Sequence, residues 1–312
     1  MVAEQPVGPR VAVLLSTYNG AAFLGAQLES FVAQEGVGWT LYWRDDGSVD
    51  GSAGVVRSFF AGAGAGEGRC QEVGGPGRLG VTGSYMALLR AAVADGAEWV
   101  AFADQDDVWL PEKLARGVAW LGEGAGAALY CSRQVLVDAG LRRIGESAAV
   151  RVAPGLGPAL TQNIATGCTV MLNRDAAGLV AGSEPPGPSI HDWWSYLVVA
   201  GAGGRVVADE AMTVLYRQHG GNAVGAPPSR LRRAVAALQR GPGVFMGLMR
   251  AQVGALRAQP GLLCPEARVL VDAVDGALAA GVGRRVAVLW RFRLLRQTSA
   301  ETWLFRVWFL FG

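Results

Sequence analysis

Residues 99–107 read Trp99-Val100-Ala101-Phe102-Ala103-Asp104-Gln105-Asp106-Asp107, and this stretch decides the fold. Its first five residues are apolar, as in a buried strand of a parallel sheet, and three carboxylates follow within four positions. In open α/β sheets, ligands bind beyond the carboxyl ends of the strands. The stretch therefore predicts an α/β fold with a ligand site at the end of this strand.

Similar segments lie on both sides of this stretch. Residues 11–15 are apolar and residues 40–43 are predicted as a second strand, and they run into the polar turns at residues 16–20 and 44–48. The apolar spacing predicts helices at residues 23–32 and 79–94. Further along, the pattern predicts strands at residues 127–137 and 166–172, a helix at 191–200 and two short strands within 205–216. Alternation of strand and helix is typical of an α/β sheet with helices on both faces.

The character of the chain changes after Gly225-Ala226-Pro227-Pro228. From there to residue 312 the pattern is helical, with regularly placed arginines. We therefore predict an α/β domain over residues 1–224 and a helical extension over residues 225–312. The chain has 312 residues and is 51% hydrophobic, which is enough to bury the core of such an assembly.

Composition and the N-terminal sequence predict a cytoplasmic protein. The net charge of +2 gives no overall sign of nucleic-acid binding. The four cysteines show no Cys-x-x-Cys spacing, which favours reduced thiols. The N-terminus lacks the basic and apolar segments of a signal peptide, and no apolar run reaches the roughly 20 residues of a spanning helix. The chain is expected to be soluble or peripheral, and a homo-oligomer is left open.

The three carboxylates of residues 104–107 predict a divalent-metal site. Crowded carboxylates repel one another unless a cation neutralises them. Mg²⁺ or Mn²⁺ takes one or two carboxylates and completes its shell with water and phosphate oxygens. The alternative is a solvated acidic loop that caps a helix beginning near Leu110, and Asp107 could do only that. The position at the end of an apolar strand favours the metal.

Polar residues at the other strand ends are candidates for nucleotide binding. A carboxylate of Asp45-Asp46-Gly47-Ser48 can accept the imide N–H of uracil or thymine, or it can simply cap a helix before a turn glycine. Tyr18 can stack on a base or merely begin a helix. Arg78-Leu79-Gly80 precedes a predicted helix, where backbone N–H groups can approach donor phosphates.

Both histidines of the chain lie in polar segments that are candidates for chemistry. His219 follows the last predicted strand and can be a third metal ligand or a phosphate donor; a structural histidine is the alternative. His191 precedes Asp192, which by position alone can be the N-cap of a helix, with Trp193 and Trp194 in the core.

Several of these segments together resemble a known enzyme family. Residues 15–20, 44–48 and 104–111 occur in the order and at the separations of inverting family 2 glycosyltransferases of the GT-A fold, particularly the bacterial rhamnosyltransferase-type branch. Three later segments extend the resemblance over residues 10–225: Asn163-Ile164-Ala165-Thr166-Gly167-Cys168-Thr169, Ile190-His191-Asp192-Trp193-Trp194 and Tyr216-Arg217-Gln218-His219-Gly220-Gly221-Asn222. The resemblance implies a Rossmann-like GT-A sheet.

The resemblance also implies a role for each matching residue. Asp192 matches the catalytic base, and its aromatic surroundings should raise its pKa by desolvation. His191 replaces the glutamate of many relatives, and it could tune Asp192 or touch the acceptor. The nucleotide-sugar side comprises Thr17, Tyr18, Asn19, Asp46, Arg78, Asp104 and Gln105. The metal ligands are Asp104, Asp106 and His219, with Asp106 as the direct one of the two acids. The acceptor side comprises Thr166, Gly167, Cys168, His191, Trp193 and Trp194.

These roles imply a metal-dependent, inverting transfer of a sugar from a dTDP- or UDP-sugar, with dTDP-rhamnose favoured. The acceptor would be a bacterial cell-surface glycan or its lipid-linked precursor. A nucleotidylyltransferase is one alternative, but residues 16–20 lack its Gly-rich phosphate loop and lysine. The other alternative is a catalytically inactive sugar-nucleotide-binding module.

The C-terminal sequence mixes arginines with aromatic residues from residue 284 to 312. An amphipathic helix of this composition suits the anionic inner face of the cytoplasmic membrane. It equally suits a helix whose apolar face packs on the α/β domain or on a second subunit. The sequence leaves both interpretations open.

Overall fold

The computed structural model describes residues 10–62, 70–75, 77–220 and 230–312. Its strands are β1 (Arg10–Thr17), β2 (Gly38–Asp45), β3 (Cys70–Glu72), β4 (Trp99–Ala103), β5 (Val108–Trp109), β6 (Ala128–Val137), β7 (Arg143–Glu146), β8 (Met171–Asn173) and β9 (Arg205–Arg217). They form one mixed sheet in the order β3-β2-β1-β4-β8-β6-β9-β5, with β7 paired to β6.

Helices connect and cover these strands. In the described part of the chain they are α1 (Ala21–Val32), α2 (Ser52–Ala61), α3 (Gly80–Ala94), α4 (Lys113–Leu121), α5 (Leu156–Thr161), α6 (Arg174–Ala181), α7 (His191–Gly201), α8 (Arg230–Ala258), α9 (Pro265–Leu278), α10 (Val282–Arg291) and α11 (Ser299–Phe311). Short 3₁₀ turns lie at Gly167–Thr169 and Pro260–Leu262.

Strand register brings three polar turns to one edge of the sheet. β1 is parallel to β2 and β4, with Thr17 opposite Asp45 and Leu15 opposite Ala103. The residues that follow these strands, including Tyr18 and Asp104, therefore meet at the same edge. β8 is antiparallel to both β4 and β6, and β6 is parallel to β9, so the sheet continues past β4 with mixed directions.

The buried strands have a core on each face, as the sequence predicts. Leu14 and Phe102 belong to one apolar cluster, which includes residues of α3, α7 and α11. Val13 and Ala101, one position away, belong to the other cluster, which α1 and α4 cover. Alternation of this kind follows from the two-residue period of a strand. Burying each large apolar side chain contributes about 1.5–3 kcal/mol, so both layers hold the strand ends in place.

Three sequence predictions about elements need correction. Residues 205–216 form one long strand with irregular register, not two short strands. Residues 166–172 form a 3₁₀ turn followed by a short strand, because Gly167 and Thr169 make turn and tertiary hydrogen bonds. The helix expected near Leu110 begins at Lys113, and no side chain caps it. The predicted boundary between residues 224 and 225 lies outside the described residues.

The C-terminal helices pack onto the rest of the chain through one apolar face. Phe305 and Phe309 are fully buried, and they share a core cluster with residues of α3 and α7. Three other large apolar side chains remain open to solvent: Trp290 is 87% exposed, Trp303 65% and Phe311 76%. None of the helices that the structure describes combines the length and the apolar character needed to cross a membrane.

Candidate active site

The turn after β1 is held by side chains from the turn after β2. The backbone N–H groups of Asn19 and Gly20 donate to the hydroxyls of Ser48 and Ser52 at 2.9 and 2.8 Å. The Asn19 carboxamide oxygen accepts the Val49 N–H at 2.9 Å, so this predicted nucleotide-binding residue braces the turn. Asn19 has a φ of +50°, a left-handed conformation that asparagine tolerates.

An aromatic and a cationic side chain lie face to face at this turn. The guanidinium carbon of Arg78 lies 3.8 Å from the centroid of the Tyr18 ring, and its Nε lies 3.7 Å from Asp46 Oδ2. Tyr18 is 40% exposed, so its ring is accessible for stacking. The structure therefore brings three predicted nucleotide-binding residues, Tyr18, Asp46 and Arg78, into one cluster.

The carboxylate of Asp46 is buried and already engaged. It accepts the backbone N–H groups of Leu79 and Gly80 at 2.7 and 2.9 Å, and these N–H groups are therefore not free for donor phosphates, contrary to the expectation from sequence. Thr17 is also fully buried, and its hydroxyl donates to Asp45 Oδ1 at 2.9 Å. Thr17 and Asp46 thus form the floor of the cluster that Tyr18 and Arg78 cover.

The acidic segment after β4 is tied to the β1 turn by Gln105. Its Oε1 accepts the Tyr18 N–H at 2.8 Å, and its Nε2 donates to the Tyr18 carbonyl at 3.0 Å. The side chain lies over Gly20, where a Cβ atom would fall 2.2 Å from Gln105 Oε1. Only a residue without a side chain leaves room for this contact.

Asp104 and Asp106 lie in a partly buried setting with polar partners. The Tyr85 hydroxyl lies 3.0 Å from Asp104 Oδ1, and His219 Nε2 lies 2.8 Å from Asp106 Oδ2. Burial, with a further contribution from the Asp106 charge, raises the pKa of Asp104 to about 7. The Arg217 Nε–H donates to the Asp106 carbonyl at 2.7 Å. The predicted metal ligands Asp106 and His219 are therefore neighbours.

Asp107 is fully buried behind these two acids. Its Oδ1 accepts the backbone N–H of Arg217 at 3.0 Å, while its Oδ2 has no hydrogen-bond partner in the described structure. Lys113 is also fully buried, with its Nζ 3.7 Å from the centroid of the Trp109 ring, and burial lowers its pKa to about 7. Asp107 is thus an interior residue and not a solvated helix cap.

The carboxylates fit a hard divalent cation. Asp104, Asp107 and Cys168 each offer an atom within 4.8 Å of the others. The predicted ligands Asp106 and His219 are not in this group but contact each other at 2.8 Å. Oxygen ligands of this kind suit Mg²⁺ or Mn²⁺. Burial raises the pKa of the Cys168 thiol well above its usual value, so the neutral sulfur does not suit these ions. The residues available for the cation are therefore the acids.

Asp192 lies in the first turn of α7 and is almost fully buried. Its Oδ2 accepts the Gly167 N–H at 2.9 Å, and its Oδ1 accepts its neighbour's N–H. Burial raises the pKa of Asp192 to about 7, while these hydrogen bonds act in the opposite direction. Desolvation dominates, as expected for a carboxylate in aromatic surroundings. A group with this pKa can hold or release a proton near neutrality.

His191 lies between the acidic segment and Asp192. Its ring stacks on Tyr85 with centroids 3.8 Å apart, and a Cβ at Gly167 would lie 3.0 Å from its Nε2. Burial lowers the pKa of His191 to about 3, so the ring is neutral at physiological pH. Because it is neutral, His191 does not supply a charge to lower the pKa of Asp192.

The remaining predicted acceptor-side residues differ in their surroundings. The Trp193 indole N–H donates to the Ala159 carbonyl at 2.7 Å, and Thr166 is partly exposed beside Gly167. Trp194 and Cys168 are fully buried, and the Trp194 indole N–H donates to the Ser183 hydroxyl at 2.8 Å. Trp194 is therefore a core side chain, because its faces and its N–H are occupied by protein.

Sequence reasoning did not find Tyr85 or Lys113. Tyr85 lies within α3, where its aromatic ring satisfies the apolar pattern and conceals a hydroxyl bonded to Asp104. Lys113 is the one lysine of the chain and follows the acidic segment by six residues. This proximity is the sequence feature that could have indicated a basic residue near the acids. A basic residue near a helix start is usually solvent-exposed, so its burial required the structure.

Comparisons with known proteins identify the family and the fold. The model of the family described as Glycosyl transferase family 2 matches residues 12–177. Over 227 residues the chain is 23% identical to the dTDP-rhamnosyl transferase RfbG of Shigella flexneri, which covers 68% of this chain and 74% of that protein.

Solved structures share the fold at low identity. S. aureus TarS in complex with UDP-GlcNAc is similar with a TM-score of 0.56 and 14% identity, over 89% of this chain and 83% of that chain. The mannosyltransferase PcManGT from Pyrobaculum calidifontis, in complex with GDP-Man and Mn²⁺, has a TM-score of 0.50 and 18% identity, over 97% of this chain and 86% of that chain. The α/β sheet is that of the GT-A fold. The matched segment spans more than half of the sequence, and the chain belongs to glycosyl transferase family 2.

Proposed function

We propose that this glycosyltransferase moves a sugar, with inversion and with the help of a divalent metal, from a pyrimidine nucleoside diphosphate to a hydroxyl group of a surface glycan or its lipid-linked precursor. The observation that carries the proposal is that Tyr85, whose hydroxyl lies 3.0 Å from Asp104 Oδ1, stacks on His191, the chain neighbour of buried Asp192. The relative named dTDP-rhamnosyl transferase favours dTDP-rhamnose as the donor.

The nucleotide side of the proposal rests on the cluster at the β1 edge. Tyr18 is 40% exposed, Arg78 covers one face of its ring, and the buried Asp46 carboxylate lies 3.7 Å from Arg78. A pyrimidine base can stack on the tyrosine, while Asp46 holds the adjoining loop through the Leu79 and Gly80 N–H groups. Complexes with UDP-GlcNAc and GDP-Man in proteins of the same fold support a nucleotide-sugar donor.

Asp104 and Asp106 would hold Mg²⁺ or Mn²⁺, with His219 beside Asp106 as a further ligand. When bound, such a cation stabilises the charge that develops on the leaving nucleoside diphosphate. The Mn²⁺ named with PcManGT supports the choice of ion. Arg217 fixes the acidic segment by donating to the Asp106 carbonyl and to Asp107.

Asp192 acts in this proposal as the general base. It takes the proton of the acceptor hydroxyl while the hydroxyl oxygen attacks the anomeric carbon. The bond from that carbon to the nucleoside diphosphate breaks, and the bonding electrons leave with the diphosphate. One displacement inverts the anomeric configuration. The raised pKa of Asp192 makes it a stronger base than an exposed aspartate.

The direct test is an assay of purified protein with a panel of nucleotide sugars, with and without Mn²⁺. We expect dTDP-rhamnose to give metal-dependent thermal stabilisation, since a ligand that binds the folded state stabilises it. Slow donor hydrolysis or transfer to an acceptor should accompany binding. Stabilisation without any turnover would instead favour an inactive sugar-nucleotide-binding module.

Replacing Gly167 by alanine should impair the proposed base without harming the donor site. The added Cβ would lie 3.0 Å from His191 Nε2, so the His191 ring must give by a few tenths of an ångström, whereas the distance of 3.6 Å to Asp192 Oδ2 is an ordinary contact. A misplacement of about 1 Å can lower a rate by about 10²-fold, so this smaller shift next to the proposed base should lower kcat by less than that, with unchanged dTDP affinity. Gly178→Ala is the matched control, since a Cβ there meets nothing within 4 Å. Equal turnover in both variants would contradict the placement of Asp192.

We also propose that the C-terminal helices α8 to α11 hold the enzyme at the inner face of the cytoplasmic membrane. The buried Phe305 and Phe309 show that one face packs on protein, while Trp290 and Trp303 stay exposed. Exposed aromatic side chains favour the interfacial region of a bilayer. The exposed arginines of this region, Arg284, Arg291 and Arg293, suit anionic headgroups at about 1 kcal/mol each.

A double substitution, Trp290→Ser with Trp303→Ser, should weaken sedimentation with vesicles of phosphatidylglycerol and phosphatidylethanolamine. Both side chains are largely exposed, so the fold should persist. Binding of the unmodified protein should fall with added salt, because exposed charges are screened. Ile144→Ser, an exposed apolar residue on β7, is the control. If the unmodified protein stays in the supernatant at low salt, the exposed face serves protein contacts instead.

A further inference from the structure

The carboxamide of Gln105 makes a two-bond contact with the backbone of Tyr18. One bond runs from the Tyr18 N–H to Oε1 at 2.8 Å, and the other from Nε2 to the Tyr18 carbonyl at 3.0 Å. A primary amide that pairs with both polar groups of one residue fixes that residue in position and in orientation. The contact therefore joins the turn after β1 to the segment after β4.

The two segments carry different parts of the proposed donor site. Tyr18 provides a partly exposed aromatic ring, one face of which Arg78 covers, whereas Asp104 and Asp106, on either side of Gln105, provide the carboxylates. Gln105 therefore sets the distance between the surface for the base and the acids for the diphosphate. Its side chain bridges the two segments that one ligand must contact at the same time.

We propose that Gln105 is a positioning residue that holds the base-stacking face of Tyr18 in register with the diphosphate-binding acids, so that a pyrimidine nucleoside diphosphate binds both at once. The inference rests on the proposed function, and it attributes part of the affinity for the donor to the contact between Gln105 and the Tyr18 backbone. When two subsites are held at the spacing of one ligand, binding at the first raises the effective concentration at the second. Loss of the spacing should weaken the whole ligand much more than its separate parts.

Gly20 provides an independent way to break the same contact. A Cβ at Gly20 would lie 2.2 Å from Oε1 and 2.8 Å from Nε2 of Gln105, and these atoms are the far end of a flexible side chain. Gly20 has a φ of −113°, which alanine adopts without strain. Gly20→Ala should therefore expel the Gln105 carboxamide while leaving the backbone intact.

The test is a double-mutant cycle of Gln105→Ala and Gly20→Ala, read by calorimetry with dTDP and Mn²⁺, and separately with thymidine and with pyrophosphate and Mn²⁺. We expect each single variant to bind dTDP about ten-fold more weakly, while thymidine and pyrophosphate affinities stay within about two-fold. The double variant should match Gln105→Ala alone, since both changes remove one contact. Gly25→Ala, whose Cβ meets nothing within 4 Å, is the control in the adjacent helix.

Other outcomes separate the explanations. If Gln105→Ala weakens dTDP binding but Gly20→Ala does not, Gln105 acts by touching the ligand, and the positioning role is overturned. Additive losses in the double variant would overturn it as well, as would unchanged dTDP affinity in both single variants. Absence of Mn²⁺-dependent binding of dTDP or UDP to the unmodified protein would reject the proposed function itself, and the inference with it.

Discussion

Replacing Asp192 by asparagine should lower turnover by about 10²–10⁴-fold, the usual range for loss of a general base, while dTDP affinity stays unchanged. Asparagine keeps the size of the side chain and can still accept one of the two backbone hydrogen bonds, but it cannot take a proton. Steady-state kinetics together with calorimetric dTDP binding would check both parts. Near-normal turnover with preserved binding would remove Asp192 from the mechanism.

The pH dependence gives a second measure of the same residue. Burial raises the pKa of Asp192 to about 7, so wild-type turnover should rise with pH through neutrality as the carboxylate forms. The residual turnover of the Asp192→Asn variant should not show this rise with pH. Because the raised pKa means that the folded state binds the proton more tightly, the wild type should lose stability relative to the variant as the pH rises from about 4 to about 7. Thermal melts across that range would show the difference.

Replacing Asp106 by alanine should abolish the enhancement of dTDP or UDP binding by Mn²⁺. Asp106 lies 2.8 Å from His219, so its loss removes one of the two carboxylates proposed to hold the ion and also the carboxylate that His219 contacts. Fold should be kept, because the Asp106 side chain is partly exposed and Arg217 bonds its backbone carbonyl. Titrations with and without Mn²⁺ measure the effect.

The control for this variant is Asp272→Ala, which removes an exposed carboxylate on α9. Its nucleotide binding should respond to Mn²⁺ as in the wild type. If Asp106→Ala keeps the full Mn²⁺ response, the ion is held elsewhere, and Asp104 with Asp107 becomes the next set to substitute.

The strands that carry the donor side follow closely from the sequence. Residues 99–103 form β4 as predicted, because continuous apolar runs of this length have few other buried arrangements. The sequence does not predict β9 as one strand, since Asp209 and Glu210 interrupt its apolar pattern. Asp209 is bonded by Tyr130 and Arg116 from distant parts of the chain, and such partners leave no local trace. Long-range compensation therefore explains the error in that element.

In the candidate site, too, some features follow from the local sequence pattern and others depend on contacts between distant residues. The positions of Tyr18, Asp104 and Asp106 follow from the ends of their strands, so the sequence predicts that they meet. The contact of Gln105 with the Tyr18 backbone does not follow, since it depends on side-chain rotamers and on the space at Gly20. The burial of Trp194 also required the structure, because adjacent helical residues face different directions and the pattern alone did not assign them.

The bond from the Arg217 backbone to Asp107 has a consequence for folding during synthesis. The two residues are 110 positions apart, whereas β1, β2 and β4 form within the first 103 residues. Contacts of such large sequence separation form late, because the intervening chain must first be made and closed. A nascent chain that ends shortly after β4 therefore presents three crowded carboxylates without Arg217 or His219. We expect the acidic segment to gain its final order only when β9 joins the sheet, which makes it the last part of the donor site to mature.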